Sequence, residues 1–252
     1  MRAADPDRYF SALFAPAPLR PALFALYAFN HEIVRVAETV REPMLGAIRL
    51  EWWRETAEGA ARGEPRNHDV ARGLAALFAT GRVALADVEA LVAARSFDSS
   101  AEQFADFAEL ESYLDATGGD LMRLAIGLLG GEPAAAREAA LAYGLSGLLR
   151  SLPFHDRRHK LYLPLDLLQA VELTAEEFFA AQNDPRKNAV IHQAALRARD
   201  HFRAARAMRP GKALAALLPA ALVPVYLKRL GREVPIHSRQ MRLLGAAMRR
   251  RI

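Results

Sequence analysis

Apolar positions along this chain recur every three or four residues, and two-residue alternation is scarce. That spacing lines one face of a helix and predicts an all-α protein. Prolines, glycines and capping residues divide the chain into successive helices. Asp5 as N-cap and Pro6 at N1 open the first, over residues 5–14. Pro16, Pro18 and Pro21 lead into a long helix over 19–40, which Pro43 closes. Another runs over 43–63 to Gly63 and Pro65, and further helices are expected over 67–79, 84–95, 101–130 and 133–151. Gly118-Gly119 falls inside the 101–130 segment and predicts a kink or a close helix contact there. Beyond Pro164, two short pieces (165–171 and 174–181) precede helices over 186–208, 211–230 and 238–250, with Pro219 and Pro224 bending the penultimate one.

Composition narrows this picture. The 252 residues contain no low-complexity linker, internal repeat or glycine-rich phosphate loop, so 1–252 reads as one domain with a substantial core. Apolar residues make up 52% of the chain, largely alanine and leucine, which favours helix over sheet. With no cysteine, disulfides, thiolate catalysis and cysteine-ligated metals are excluded. The opening MRAADPDRYF carries charge where a signal peptide needs an apolar core, and no uninterrupted apolar run approaches the ~18 residues of a membrane span. The expected location is the cytoplasm, or a peripheral position on the inner membrane. A formal charge of +5, carried mostly by arginine, suits a diphosphate-shaped ligand or an anionic membrane surface; a genome that prefers arginine to lysine explains it equally well. The basic residues are dispersed and no reader motif accompanies them, so nucleic acid is not an expected partner.

Four stretches could carry chemistry. Tyr27–Glu38 reads YAFNHEIVRVAE, and residues 144–166 read GLSGLLRSLPFHDRRHKLYLPLD. Residues 48–55, IRLEWWRE, place paired tryptophans on a helix, where they either line an apolar cavity or fill an ordinary core. The last helix mixes apolar residues with Arg239, Arg242 and Arg249–Arg251, a composition suited to lying on an anionic bilayer or to docking with a frayed basic end. His31, His155 and His159 lack the spacing of a zinc site and read as solvated or hydrogen-bonded histidines.

The first two stretches resemble the paired signatures of the squalene/phytoene synthase family, YAFCRxxDDxxD and NILRDxxED followed by an arginine-rich turn and YLP. REP at 41–43, RLEWWRE at 49–55, YLDATGGDLM at 113–122 and LLPAALVPVYLKRL at 217–230 extend the resemblance over most of the chain. It implies the all-α terpenoid-synthase-like bundle around a central cavity. In that family, acids spaced four apart on facing helices hold Mg²⁺, which demands hard oxygen ligands. Here Val34 and Arg35 replace the paired aspartates, and Ser151, Phe154 and His155 replace the acids of the second signature. Glu38 alone stays in frame, Asp156 is one residue out, and an ion pair of Glu38 with Arg35 or Arg41 accounts for it without metal. The resemblance therefore implies no metal site.

YAFNHEIxRV and LLRSLPFHxRxxKLYLP resemble, more narrowly, a divergent branch associated with assembly of respiratory complex I. Two functions follow. One is a non-catalytic or ligand-binding factor that supports complex I assembly, with complex I subunits or an apolar, isoprenoid-like molecule as partner and no cofactor. The other is a head-to-head prenyltransferase condensing prenyl diphosphates, which alone would call for Mg²⁺ and would need Arg35, Arg54, Arg150 and Arg157-Arg158 to hold diphosphate. The positions implied for ligand contact are Tyr27, Asn30, His31, Arg35, Glu38, Arg54, Arg150, His155 and Tyr162.

Overall fold

The computed structural model describes residues 2–40, 42–181 and 183–252; these are helices and connections, with no strand among the described residues. In chain order the helices are α1 (Pro6–Ala12), α2 (Arg20–Thr39), α3 (Pro43–Ala61), α4 (Asp69–Phe78) and α5 (Leu85–Ala93). Then come α6 (Ser96–Ser99), α7 (Phe107–Leu114), α8 (Asp120–Leu129), α9 (Ala136–Arg150) and α10 (Leu152–Asp156). The last are α11 (Leu165–Gln169), α12 (Ala175–Ala180), α13 (Pro185–Ala207), α14 (Leu214–Leu217), α15 (Val223–Lys228) and α16 (Ile236–Met248).

Local chemistry sets most boundaries. The Asp5 carboxylate accepts from the Arg8 amide at 3.0 Å, capping α1 as its sequence implies. Thr174 and Glu177 form a reciprocal capping box on α12, and proline occupies the first turn of α2, α3 and α13. Gly130 ends α8 at φ 65°, a left-handed cap that glycine adopts without strain.

Two expectations need correction. The 101–130 segment is not one helix: Asp106 caps α7 through the Glu109 amide, so the residues before it stay irregular. A π-helical turn over Asp115–Gly119 then separates α7 from α8, at the glycine pair where a kink was expected. The 211–230 segment also breaks, into a 3₁₀ turn at Gly211–Ala213, α14, a second 3₁₀ turn at Leu218–Leu222 around Pro219, and α15. Gly211–Lys228 has the length and composition of a membrane span, but two-thirds of it is buried inside the bundle.

The α2 helix shows how the core is built. Leu23, Leu26, Phe29 and Ile33 follow three-to-four-residue spacing and are almost wholly buried, each contributing about 2 kcal/mol of transfer free energy. One apolar cluster joins α1 to α5, α8 and α16; a second joins α7, α11, α12 and α13. The α9 helix serves both, giving Ala136, Ala139 and Ala140 to the first and Leu141, Leu145 and Leu149 to the second. Gly144 lets α7 approach α9, since a Cβ there would lie 2.9 Å from the Leu114 side chain.

Candidate functional site

With one face of α2 committed to the core, its neighbouring faces are left for other work. Val34, Ala37 and Glu38 line a half-open cavity of about 690 Å³, and Ser151, Phe154 and His155 face them from the end of α9 and from α10. The two signature stretches are therefore brought together across an open space. Arg35 lies on a different face, in a groove with Glu32, Thr39, Arg49 and Trp52. The expected Arg35–Glu38 pair is not made, and Arg41 lies outside the described residues.

What bridges the two stretches is a side chain. Arg158 donates to the backbone carbonyls of Ala37 at 2.7 Å and Glu38 at 2.5 Å, and its guanidinium lies 4.9 Å from the Phe154 ring centroid. A cation on the last carbonyls of α2 satisfies groups that the helix leaves open and complements its dipole. Asp156, the out-of-frame acid, is taken up by Lys187 at 2.8 Å, which also donates to the Phe178 carbonyl.

The polar wall of the cavity centres on Asp98, from the short α6. Its carboxylate, 7% exposed, accepts from the hydroxyls of Tyr113 at 2.5 Å and Tyr162 at 2.9 Å and pairs with Arg95 at 3.4 Å. Burial and the nearby Asp98 charge push both tyrosines far above their ordinary value, so they stay protonated donors. Lys160 donates to the carbonyls of Phe97 and Ser100 at 3.0 and 2.7 Å, and burial lowers its pKa. His155, on α10, lies with its ring centroid 4.7 Å from that of Tyr162 in a tilted arrangement; burial depresses its pKa and favours neutral imidazole. His159 lies in the turn after α10, with φ 51°, against Phe179.

Of the positions implied by the signatures, Glu38, His155 and Tyr162 line this cavity. Tyr27 and Asn30 are buried on the core side of α2; the Tyr27 ring lies beneath the Arg8 guanidinium, and the Asn30 Oδ1 has no partner. His31 is on α2 near enough to Asp5 to help Arg8, which has the larger effect, hold that carboxyl below its usual range against the upward push of burial. Arg54 pairs with Glu51 and Glu58 on α3. Arg150 stacks 3.9 Å from the Tyr226 ring, beside a separate buried knot in which Asp7 accepts from Tyr143, Tyr226 and Arg239. Trp53 packs in the core against Phe29, and Trp52 is partly exposed under Arg66. Arg35, Arg54 and Arg150 are thus not gathered around one anion. Asp98 went unrecognised because SFDSS has no motif, although the YLP tyrosine ends on this aspartate.

The donor set does not suit magnesium. Val34 and Phe154 offer no ligand atom, Glu38 is a single carboxylate, and no group of three or more metal-ligating side chains is assembled among the described residues. Arg158 and Lys160 direct their donors to backbone carbonyls.

A family model described as squalene/phytoene synthase matches residues 1–243. The chain belongs to the squalene/phytoene synthase family. Within it, this member is 29% identical over 239 residues to "NADH dehydrogenase (ubiquinone) complex I, assembly factor 6" of Homo sapiens, covering 92% of this chain and 72% of that one. It is 28% identical over 204 residues to presqualene diphosphate synthase of Rhodopseudomonas palustris, covering 78% and 72%. A dehydrosqualene synthase crystal structure superposes with a TM-score of 0.81 at 17% identity, over 98% of this chain and 92% of that one. This last likeness establishes the family fold.

Proposed function

We propose that this family member is a non-catalytic, ligand-holding factor that supports assembly of respiratory complex I, working in the cytoplasm and peripherally on the inner membrane. The observation that carries the reading is the replacement of the metal-holding acids by Val34, Ser151, Phe154 and His155 around an open cavity, with Arg158 tied across it. Ionising a prenyl diphosphate requires cations that neutralise the leaving group; of those lining this cavity, Arg95 pairs with Asp98 while Arg158 and Lys160 donate to backbone carbonyls, which leaves Arg157 for an anion. Similarity to complex I assembly factors over most of the chain supports the partner. The cavity supports a bound molecule, an isoprenoid-like ligand or a segment of a complex I subunit.

Two experiments test this reading. Purified protein incubated with farnesyl or geranylgeranyl diphosphate and Mg²⁺ should yield no condensed product by mass spectrometry. A strain lacking the protein should lose complex I activity while its isoprenoids stay unchanged. Turnover that disappears in Glu38→Ala would establish the head-to-head prenyltransferase in its place.

A further inference from the structure

The loop after α13 and the end of α16, with Phe14–Pro16, enclose a concavity of about 1170 Å³ that shares no lining residue with the signature cavity. Arg206, Arg209, Lys212, Arg249, Arg250 and Arg251 line it, and no acidic residue does. None of these six has a carboxylate partner among the described residues. Six cations there against a net charge of +5 leave the remainder of the chain at −1, so the positive field is concentrated at this end. The half-buried Arg242 reports the crowding: burial first, then Arg206 and Arg249, lower its pKa. The turn after α16 holds Arg250 at φ 49°, a left-handed position where glycine is the default, so charge is kept there at a backbone cost.

The surface beside these cations is apolar. Leu243 and Ala246 on α16 face the core, while Met241, Leu244 and Met248, spaced i, i+3 and i+7, form an opposite ridge exposed by 65%, 40% and 78%. Leu13 and Phe14, just beyond α1, are also exposed, and α1 packs against α16. A helix apolar on both faces calls for an apolar environment on both. Methionine, leucine and phenylalanine beside unpaired arginines match the acyl boundary and headgroups of an anionic membrane. Nucleic acid offers the charge without the apolar complement.

We infer that this end of the protein binds an anionic bilayer, with Met241, Leu244 and Met248 entering the acyl boundary and the six cations engaging lipid phosphates. This inference deepens the peripheral inner-membrane location proposed above but requires no complex I partner. Its test accordingly uses the purified full chain and vesicles alone. In flotation, the protein should rise with vesicles of phosphatidylcholine and phosphatidylglycerol and stay behind with phosphatidylcholine alone. Added salt should weaken the association. Replacing Arg249, Arg250 and Arg251 by glutamine should lower affinity about fivefold per charge. Met248→Asp should weaken it at least ~10-fold, with an unchanged circular dichroism spectrum because the side chain is exposed. Equal binding to both vesicles, binding unaffected by either set of changes, or capture by DNA but not by vesicles would each overturn the assignment. A normal vesicle result in a protein that leaves complex I assembly untouched would overturn only the assembly role.

Discussion

The guanidinium of Arg158 donates to the backbone carbonyl of Glu38, joining the turn before YLP to the end of α2. The carbonyl of Ala37 shares the same guanidinium. The one acid left in frame therefore meets the second signature through its main chain, and its side chain stays at the cavity mouth. Removing this contact should loosen the mouth without unfolding the bundle. Arg158→Ala is expected to cost about 1 kcal/mol in urea unfolding. Hydrogen exchange should accelerate at the end of α2 and in the 157–160 turn. Arg158→Lys should recover only part of the loss, since one ammonium cannot present the same fork. Unchanged exchange in both variants would count against the strap.

The Asp98 cluster is a structural hub as well as the wall of the cavity. Asp98→Ala leaves Arg95 buried without its counter-charge, and should cost about 3–5 kcal/mol. Tyr162→Phe removes one hydrogen bond to a charged acceptor and should cost about 2 kcal/mol. Denaturant midpoints check both values, and equal losses in the two variants would contradict the ranking.

Stability should depend on pH through His155. Burial lowers its folded pKa below the ordinary 6.5, against the raising influence of Asp98 and Asp156 and alongside Arg158 and Lys160. The unfolded chain therefore takes up its proton first as pH falls. The stability linked to neutral His155 is complete above about pH 6.5 and is lost as pH drops through the folded value. Relative to His155→Gln, the wild-type protein should lose midpoint between pH 7.5 and 5. A difference that is flat, or that grows in acid, would refute this assignment.

A second buried carboxylate anchors the N-terminal helix. Asp7 accepts from Arg239 at 2.9 Å and from Tyr143 at 3.0 Å, linking α1 to α9 and α16. Asp7→Ala strands Arg239 and should cost about 3–5 kcal/mol. The double change Asp7→Ala/Arg239→Met should recover part of that cost, as read from thermal unfolding.

Local rules were legible where the deciding chemistry is local. Asp5, Pro6, Thr174 and the proline punctuation carry their meaning within four residues, and the corresponding helix ends fall where those residues imply. The signature frames predict that Val34 and His155 share a site, and both line the cavity. Two kinds of feature escaped. The 211–230 segment breaks because Pro219 and Pro224 withdraw amide donors, yet how tightly the freed backbone coils depends on its packing. Asp98 acquires its role from Tyr113 and Tyr162, 15 and 64 positions away, and nothing in SFDSS announces either partner. Arg35 and Glu38 show the limit of spacing: three residues apart on one helix, they serve different surfaces, because the core fixes how α2 is rotated.

The Arg158 strap also bears on readiness. A site held together by dissolved ions exists only while those ions are plentiful, and a chelator can dismantle it. A charge tethered to the chain has a high effective concentration at its own target, whatever the surrounding solution contains. The link between α2 and the YLP turn is therefore a constant of the folded protein, insensitive to magnesium supply.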